Sequence, residues 1–284
     1  MGGSADPSAP HEYTLTPQIL SKGTYDNSTL PDLQLIENAM YRITLEGTDL
    51  AGNTGKKFIM SIVYDDVAPK LGIKYPEPNT VVNNLNFAYF LSEQLGKGQF
   101  IYTQIGGEQD PNSPVVLSLS ESELEKMIDV PRLPTNPPVL NDGSIYNIKF
   151  VGEDLATNKT ESDVVENVRY DITRPKISIS YPSGNTFFLG TEIGMEVSED
   201  LLEAVLIWTR TGGLPDDRSP HRMPLSDVLL KKGIYQDAPF PINESLNTSA
   251  IYTLSVEGKD FADNDVEPVS IQSVEYLSLI HISE

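Results

Sequence analysis

At 284 residues, 39% of them hydrophobic, the chain is long enough for two or three domains with real cores. Forty-one acidic against 20 basic residues leave a net charge of −21, a field that repels nucleic-acid backbones and anionic lipid surfaces. No cysteine is present, which excludes disulfides and thiolate chemistry, and no apolar run reaches the roughly 18–20 residues of a membrane-spanning helix.

The N-terminus, MGGSADPSAP, lacks the basic start and apolar centre of a signal peptide, so any export signal is expected outside this chain. Next come LTPQILSKG from Leu15 and YRITLEGTDLAGN from Tyr41. The second phrase returns as YNIKFVGEDLATN from Tyr146 and YTLSVEGKDFADN from Tyr252, spacings of 105 and 106 residues. The register holds at other landmarks. Pro69 returns as Pro175, Tyr75-Pro76 as Tyr181-Pro182, Ser92-Glu93 as Ser198-Glu199, and GGEQDPNSP from Gly106 as GGLPDDRSP from Gly212. Self-similarity at a fixed period marks a repeat architecture. Because GGSADPSAP lines up with those two loops, the first repeat starts in mid-unit. The predicted domains are 1–66 (the C-terminal half of one), 67–172 and 173–276 (both complete). The tail LSLIHISE, spanning 277–284, leaves the pattern at once; it resembles a translated sequencing adapter and is expected to be non-native or disordered.

Within 67–172 the runs KLGIKYP, NFAYFLSE, QFIYTQIGG, IYNIKFVGED and VVENVRYD alternate apolar and polar residues, the period of a half-buried strand. In 173–276 KISISYP, IGMEVSED, AVLIWTRTGG, IYTLSVEGKD and VSIQSVEY repeat the arrangement. Only Ser118–Ile128 reads as helical, with Ser120 and Glu123 at capping-box spacing. About seven short strands per hundred residues describe a two-sheet sandwich. The expected fold class is all-β, with tandem sandwich domains of which the first is truncated. Tyr41, Tyr146 and Tyr252 open the second-to-last strand of each unit, where a buried ring with its hydroxyl bonded back to the turn is expected. Trp208 and Tyr102 are expected in the cores.

The frame of D-x-x-x-P, S-E and Y-x-[IL]-x-x-x-G-x-D-x-A-x-N resembles the immunoglobulin-like repeats of bacterial surface and secreted proteins. The resemblance implies a non-catalytic extracellular segment that acts as spacer, stalk or adhesive array, with a cell-surface protein or polysaccharide as partner. Two alternatives accompany it: a carbohydrate-binding accessory module of a secreted hydrolase, and cadherin-like repeats stiffened by calcium. One departure is the glycine before the final Asn, kept at Gly52 but replaced by Thr157 and Asp263.

The residues of G-x-D-x-A-x-N fit a strand end. Asp49, Asp154 and Asp260 are suited to Asx-turns, Ala51, Ala156 and Ala262 to pointing under the sandwich edge, and the Asn residues to a left-handed backbone. Gly47, Gly152 and Gly258 are expected to allow a bulge or a close approach of chains. For calcium, the candidate oxygen donors are Asp49 with Asp65 and Asp66, and Asp154 with Asp171 and Glu153. No D-x-D-x-D loop or complete cadherin motif assembles them, so the turn role outweighs the metal role. His11 and His221 fall in matching loops, expected on surface turns, with Val115 near the corresponding place in the middle unit; His281 lies in the tail. Without a G-x-S-x-G elbow, P-loop, H-E-x-x-H or dinucleotide fingerprint, the chain is not expected to be an enzyme, and no catalytic, cofactor or metal residue is assigned. Glu199-Asp200 is expected to be a solvated strand end rather than a glycosidase pair. Tyr235, Phe240 and Phe187-Phe188 are the candidates for stacking on sugar rings.

Overall fold

The computed structural model describes residues 3–17, 19–21, 23–24, 33–125, 127–190, 192–239 and 246–277. Strands β1 (Met40–Thr48) and β2 (Thr54–Val63) form an antiparallel hairpin sheet of their own.

The middle region follows with β3 (Leu71–Tyr75), β4 (Val81–Val82), β5 (Phe87–Leu91), β6 (Leu95–Gly107) and β7 (Val115–Ser118). A single helical turn, α1 (Glu121–Leu124), leads to β8 (Ile128–Arg132), β9 (Ser144–Asp154), β10 (Lys159–Glu161) and β11 (Val165–Tyr170). Two sheets result, one ordered β3-β5-β8 and the other β4-β11-β9-β6-β7, with β10 on the end of β9. The C-terminal region repeats the plan with β12 (Ile177–Tyr181), β13 (Phe187–Phe188), β14 (Glu192–Val197), β15 (Leu201–Gly213), β16 (His221–Pro224), β17 (Gly233–Pro239), β18 (Ala250–Asp260) and β19 (Val269–Tyr276). Its sheets run β12-β14-β17 and β13-β19-β18-β15-β16.

Alternation decides the packing. Along β9 the burial alternates from Ser144 to Phe150, so Tyr146, Ile148 and Phe150 point inward while Ile145, Asn147 and Lys149 lie less deeply. Phe150 stacks on Phe100 with ring centroids 4.5 Å apart, and Tyr89 meets Phe150 edge-on at 5.2 Å. In the C-terminal core Trp208 stacks on Phe188 at 5.1 Å and meets Tyr252 edge-on at 6.0 Å. Trp208, Phe188 and Tyr252 are wholly inaccessible, and Tyr102, the counterpart of Trp208, is 4% exposed. Aromatic pairs in these geometries add to the stabilisation from area alone.

The helical expectation reduces to α1, where the amide of Ser120 donates to Glu123 Oε2 at 2.8 Å. Leu277, the first tail residue, still pairs with the sandwich through its N–H to the Phe188 carbonyl at 2.9 Å. The remaining tail, including His281, lies outside the described residues.

Candidate functional site: the corners and the junctions

Three tyrosine corners recur. The hydroxyl of Tyr146 donates to Asp110 Oδ2 at 2.6 Å and accepts from the Asn141 amide at 3.0 Å, five residues upstream. Tyr41 repeats this with Asp6 and the Ile36 amide, and Tyr252 with Asp216 and the Asn247 amide. The aspartate comes from the G-G-x-x-D loop, and that role was not recognised in the sequence although the residue recurs in every unit. Each corner thus ties the strand that carries the tyrosine to a loop about 36 residues upstream.

The histidines depart from expectation. His221 is completely buried on β16, with Nε2 2.6 Å from Asp216 Oδ2. His11 holds the same place beside Asp6, also at 2.6 Å, and is largely covered. A buried carboxylate needs donors, and these corners recruit one from an imidazole. Burial pushes the Asp216 carboxyl up, but hydrogen bonds from Tyr252 and His221 outweigh it and hold the group below the usual carboxylate range. Asp6 is held low as well, by Ser8 first, then by Tyr41 and His11.

The G-x-D-x-A-x-N turns form as Asx-turns. Asp154 Oδ1 accepts from the amides of Ala156 at 2.7 Å and Asn158 at 2.9 Å, and Asp260 does the same for Ala262 and Asn264. Asp49 follows suit, and its carboxyl is held low by donation from Asn53. The left-handed residue, however, is the one before the Asn: Gly52, Thr157 and Asp263 have φ of 89°, 78° and 70°. In both complete sandwiches the final Asn, Asn158 or Asn264, has another task. Of the three alanines only Ala262 is buried; Ala51 and Ala156 are exposed. Close approach explains two of the glycines. A Cβ on Gly258 would lie 2.6 Å from the Glu203 carbonyl oxygen, and one on Gly152 would lie 3.0 Å from side chains of Leu71 and Leu95.

That other task lies at the junctions. Asn158 Nδ2 donates to the Asp65 carbonyl at 3.2 Å, and Asn264 Nδ2 donates to the Asp171 carbonyl at 2.9 Å, each across 93 residues. Each turn therefore grips the segment that enters its own sandwich. Asp65, Glu93 and Asp154 bring one carboxylate oxygen each within 4.8 Å of one another, and Asp171, Glu199 and Asp260 do so at the next junction. Ser-Glu divides its work. Ser92 and Ser198 accept from the amides of Lys70 and Lys176 at 2.8 Å, while the adjoining glutamates reach the clusters. Burial and then the neighbouring carboxylates raise the pKa of Glu93 and of Glu199; Asp171 is raised mainly by burial, against the pull of Arg169.

The expected calcium groupings are thereby corrected. Asp154 faces Asp65, not Asp171, because β9 runs the full height of the sandwich and delivers its last residue to the end where the chain enters. Glu153 turns away to Lys97 and Lys159. Asp66 accepts from Tyr64, and Asp49 belongs to neither cluster. Carboxylates are hard oxygen donors of the kind calcium takes, so among the described residues Asp65, Glu93, Asp154 and Asp171, Glu199, Asp260 are the groups that could hold such an ion. Glu199 and Asp200 diverge, since Asp200 pairs with Lys231 at 2.9 Å.

Among the sugar-stacking candidates, Phe188 is core and Tyr235 anchors its hydroxyl on the Val228 and Lys231 carbonyls at 2.7 and 2.8 Å. Phe187 is 60% exposed, and Phe240 lies outside the described residues. No helix among the described residues is long and apolar enough to cross a membrane.

No family model matches the sequence, and no curated protein matches it. Among solved structures, the chain is similar to fibronectin(III)-like modules of CbhA from Clostridium thermocellum, at 12% identity and TM-score 0.34, covering 76% of this chain and 98% of that one. It is also similar to a structure of a 1.5-MDa bacterial ice-binding adhesin, at 13% identity and TM-score 0.26, covering 84% of this chain and 74% of that one. A third is a tetra-tandem repeat in the extending region of a large adhesion protein, at 11% identity and TM-score 0.26, covering 82% and 56%. By its own strand orders and cores, each of the two complete regions is a β-sandwich of two sheets packed on one another.

Proposed function

We propose that the chain is a non-catalytic, extracellular tandem-repeat segment, a spacer or adhesive array of a bacterial surface or secreted protein. Its modules are 1–66, 67–172 and 173–276. The observation that carries this reading is the repeated junction. In both complete sandwiches the recurrent motif spends its carboxylate on its own backbone and its amide on the segment entering the sandwich, which is what a module-joining element requires. Adhesion through such an array gains from repetition, since linked weak contacts act at high effective concentration. Small-angle scattering of the whole chain tests the spacer role. An elongated particle supports it, and a compact particle with the two sandwiches side by side speaks against it.

A second reading is favoured by the paired carboxylate clusters: calcium bound at the junctions and stiffening them. A polysaccharide-binding accessory role retains only Phe187 as an exposed ring among the described candidates and is the weaker alternative.

A further inference from the structure

The chain passes from the middle sandwich to the C-terminal one through Asp171, Ile172, Thr173, Arg174 and Pro175, between β11 and β12. Composition alone leaves such a segment flexible or stiff. Here hydrogen bonds decide, since each of the five residues is bonded to one sandwich or the other. The Asp171 amide donates to the Val82 carbonyl of β4 at 2.9 Å, and the Thr173 hydroxyl donates to Asp142 Oδ2. Those bonds reach the sandwich being left. The Arg174 guanidinium donates to the Asp265 and Val266 carbonyls at 2.9 and 3.0 Å, and the Pro175 carbonyl accepts from the Glu267 amide at 2.9 Å. Those reach the sandwich being entered.

The two sets overlap at one peptide group. The Asp171 carbonyl accepts from Asn264 Nδ2 at 2.9 Å, and the Ile172 N–H of the same peptide donates to Asp142 Oδ1 at 2.8 Å. A trans peptide is planar, with its C=O and N–H pointing in opposite directions. The group is therefore a flat tie with a different sandwich bonded to each edge. The earlier junction uses the same construction. The Asp65 carbonyl accepts from Asn158 at 3.2 Å, and the Asp66 N–H donates to Glu37 Oε2 at 3.0 Å. Glu37 and Asp142 stand 105 residues apart, each four residues before its corner tyrosine. Rotating one sandwich against the other breaks one of the two bonds to the tie. Asn264 is buried, so its amide finds no water in exchange.

We propose that the peptide group between Asp171 and Ile172 is the locking element of the joint. Through Asp142 on one side and Asn264 on the other, it holds 67–172 and 173–276 in one relative orientation with no ion required. The inference deepens the spacer reading and rests on 67–172 and 173–276 being modules. A joint of this kind turns a string of modules into a strut.

The chain has no cysteine, so Thr103→Cys and Thr209→Cys, at equivalent exposed places on β6 and β15, take one spin label each. Pulsed dipolar spectroscopy of the whole labelled chain in EDTA is expected to give a single narrow distance peak, which added calcium leaves in place. Asp142→Ala removes the acceptor on the side being left and is expected to raise the fraction outside that peak at least about fivefold. Thr173→Val, within the linker, is expected to act in the same direction by a smaller factor, and it decides the matter should Asp142→Ala unfold the middle sandwich. A broad distribution in EDTA, or one that narrows only with calcium, overturns the proposal. So does a narrow peak that neither substitution broadens. Any of these results with intact separate folding of 67–172 and 173–276 leaves the modular reading standing.

Discussion

Asn264 and Asp171, 93 residues apart, are joined by a side-chain amide that donates to a backbone carbonyl at 2.9 Å while also donating to Asp260 at the same distance. The last letter of the motif is therefore a clamp on the entering chain. Asn264→Ala removes both bonds at a buried site and is expected to destabilise the C-terminal sandwich by about 1–3 kcal/mol in denaturant titration. Asn53→Ala is the internal control: Asn53 is exposed and its side chain bonds Asp49, so an effect under about 1 kcal/mol is expected. Equal losses in the two variants would contradict the clamp.

Thr157 occupies a left-handed position where the first motif has Gly52. A β-branched residue is strained there, by roughly 1–2 kcal/mol relative to glycine. Thr157→Gly is expected to raise the unfolding free energy of the middle sandwich by about 1 kcal/mol. Asp263→Gly gains less, because Asp263 also pairs with Lys259 at 2.9 Å. Chemical denaturation of each variant decides; destabilisation by Thr157→Gly is the contrary outcome.

The buried His221–Asp216–Tyr252 group carries a pH prediction. Asp216 has a folded pKa below its ordinary 3.8, so its contribution is present above about pH 4 and is lost as pH falls through the folded value. His221→Val imitates Val115 of the middle unit and leaves Asp216 with fewer donors. It is expected to cost about 1–3 kcal/mol near neutrality. The gap from the unmodified chain is expected to narrow as pH falls from about 5 to about 2. Trp208, the sole tryptophan, reports the C-terminal core by fluorescence. A gap that widens on acidification would be contrary.

The junction carboxylates behave with the opposite sign. Glu93 and Glu199 have raised folded pKa values, so junction stability is greatest below their ordinary 4.5 and is lost as pH rises through the raised values. Glu199→Gln is expected to raise the melting temperature in EDTA by relieving repulsion. If calcium bridges the cluster, the ion raises the melting temperature of the unmodified chain more at pH about 8 than at pH about 5, and Glu199→Gln reduces that increment. A melting temperature indifferent to calcium and EDTA removes the second reading.

The strand runs, both aromatic cores and the tyrosine corners were legible because side-chain alternation and fixed spacing report directly on sheets and repeats. Trp208 and Tyr102 occupy equivalent buried places, as the resemblance to immunoglobulin-like repeats implied for a large aromatic on that strand. Less legible was which partner each residue meets. Asp154 precedes Asp171 by 17 residues yet faces Asp65, because eleven extended residues of β9 carry it roughly 35 Å along the sandwich. His221 sat in a loop-like phrase with proline and arginine, but Asp216 five residues earlier draws it inside. The signal for that pairing was present in the recurrence of Asp6 with His11 at the same interval. Left-handed Thr157 and Asp263 were hidden because glycine, the residue that advertises such a backbone, survives only at Gly52.

Separate expression of 67–172 and 173–276 tests the central claim most directly, with cooperative unfolding followed by calorimetry and, for the second piece, by Trp208 emission. The account predicts two self-standing domains, each with a single transition and well-dispersed amide resonances. Two unfolded fragments that acquire structure only when joined would contradict it.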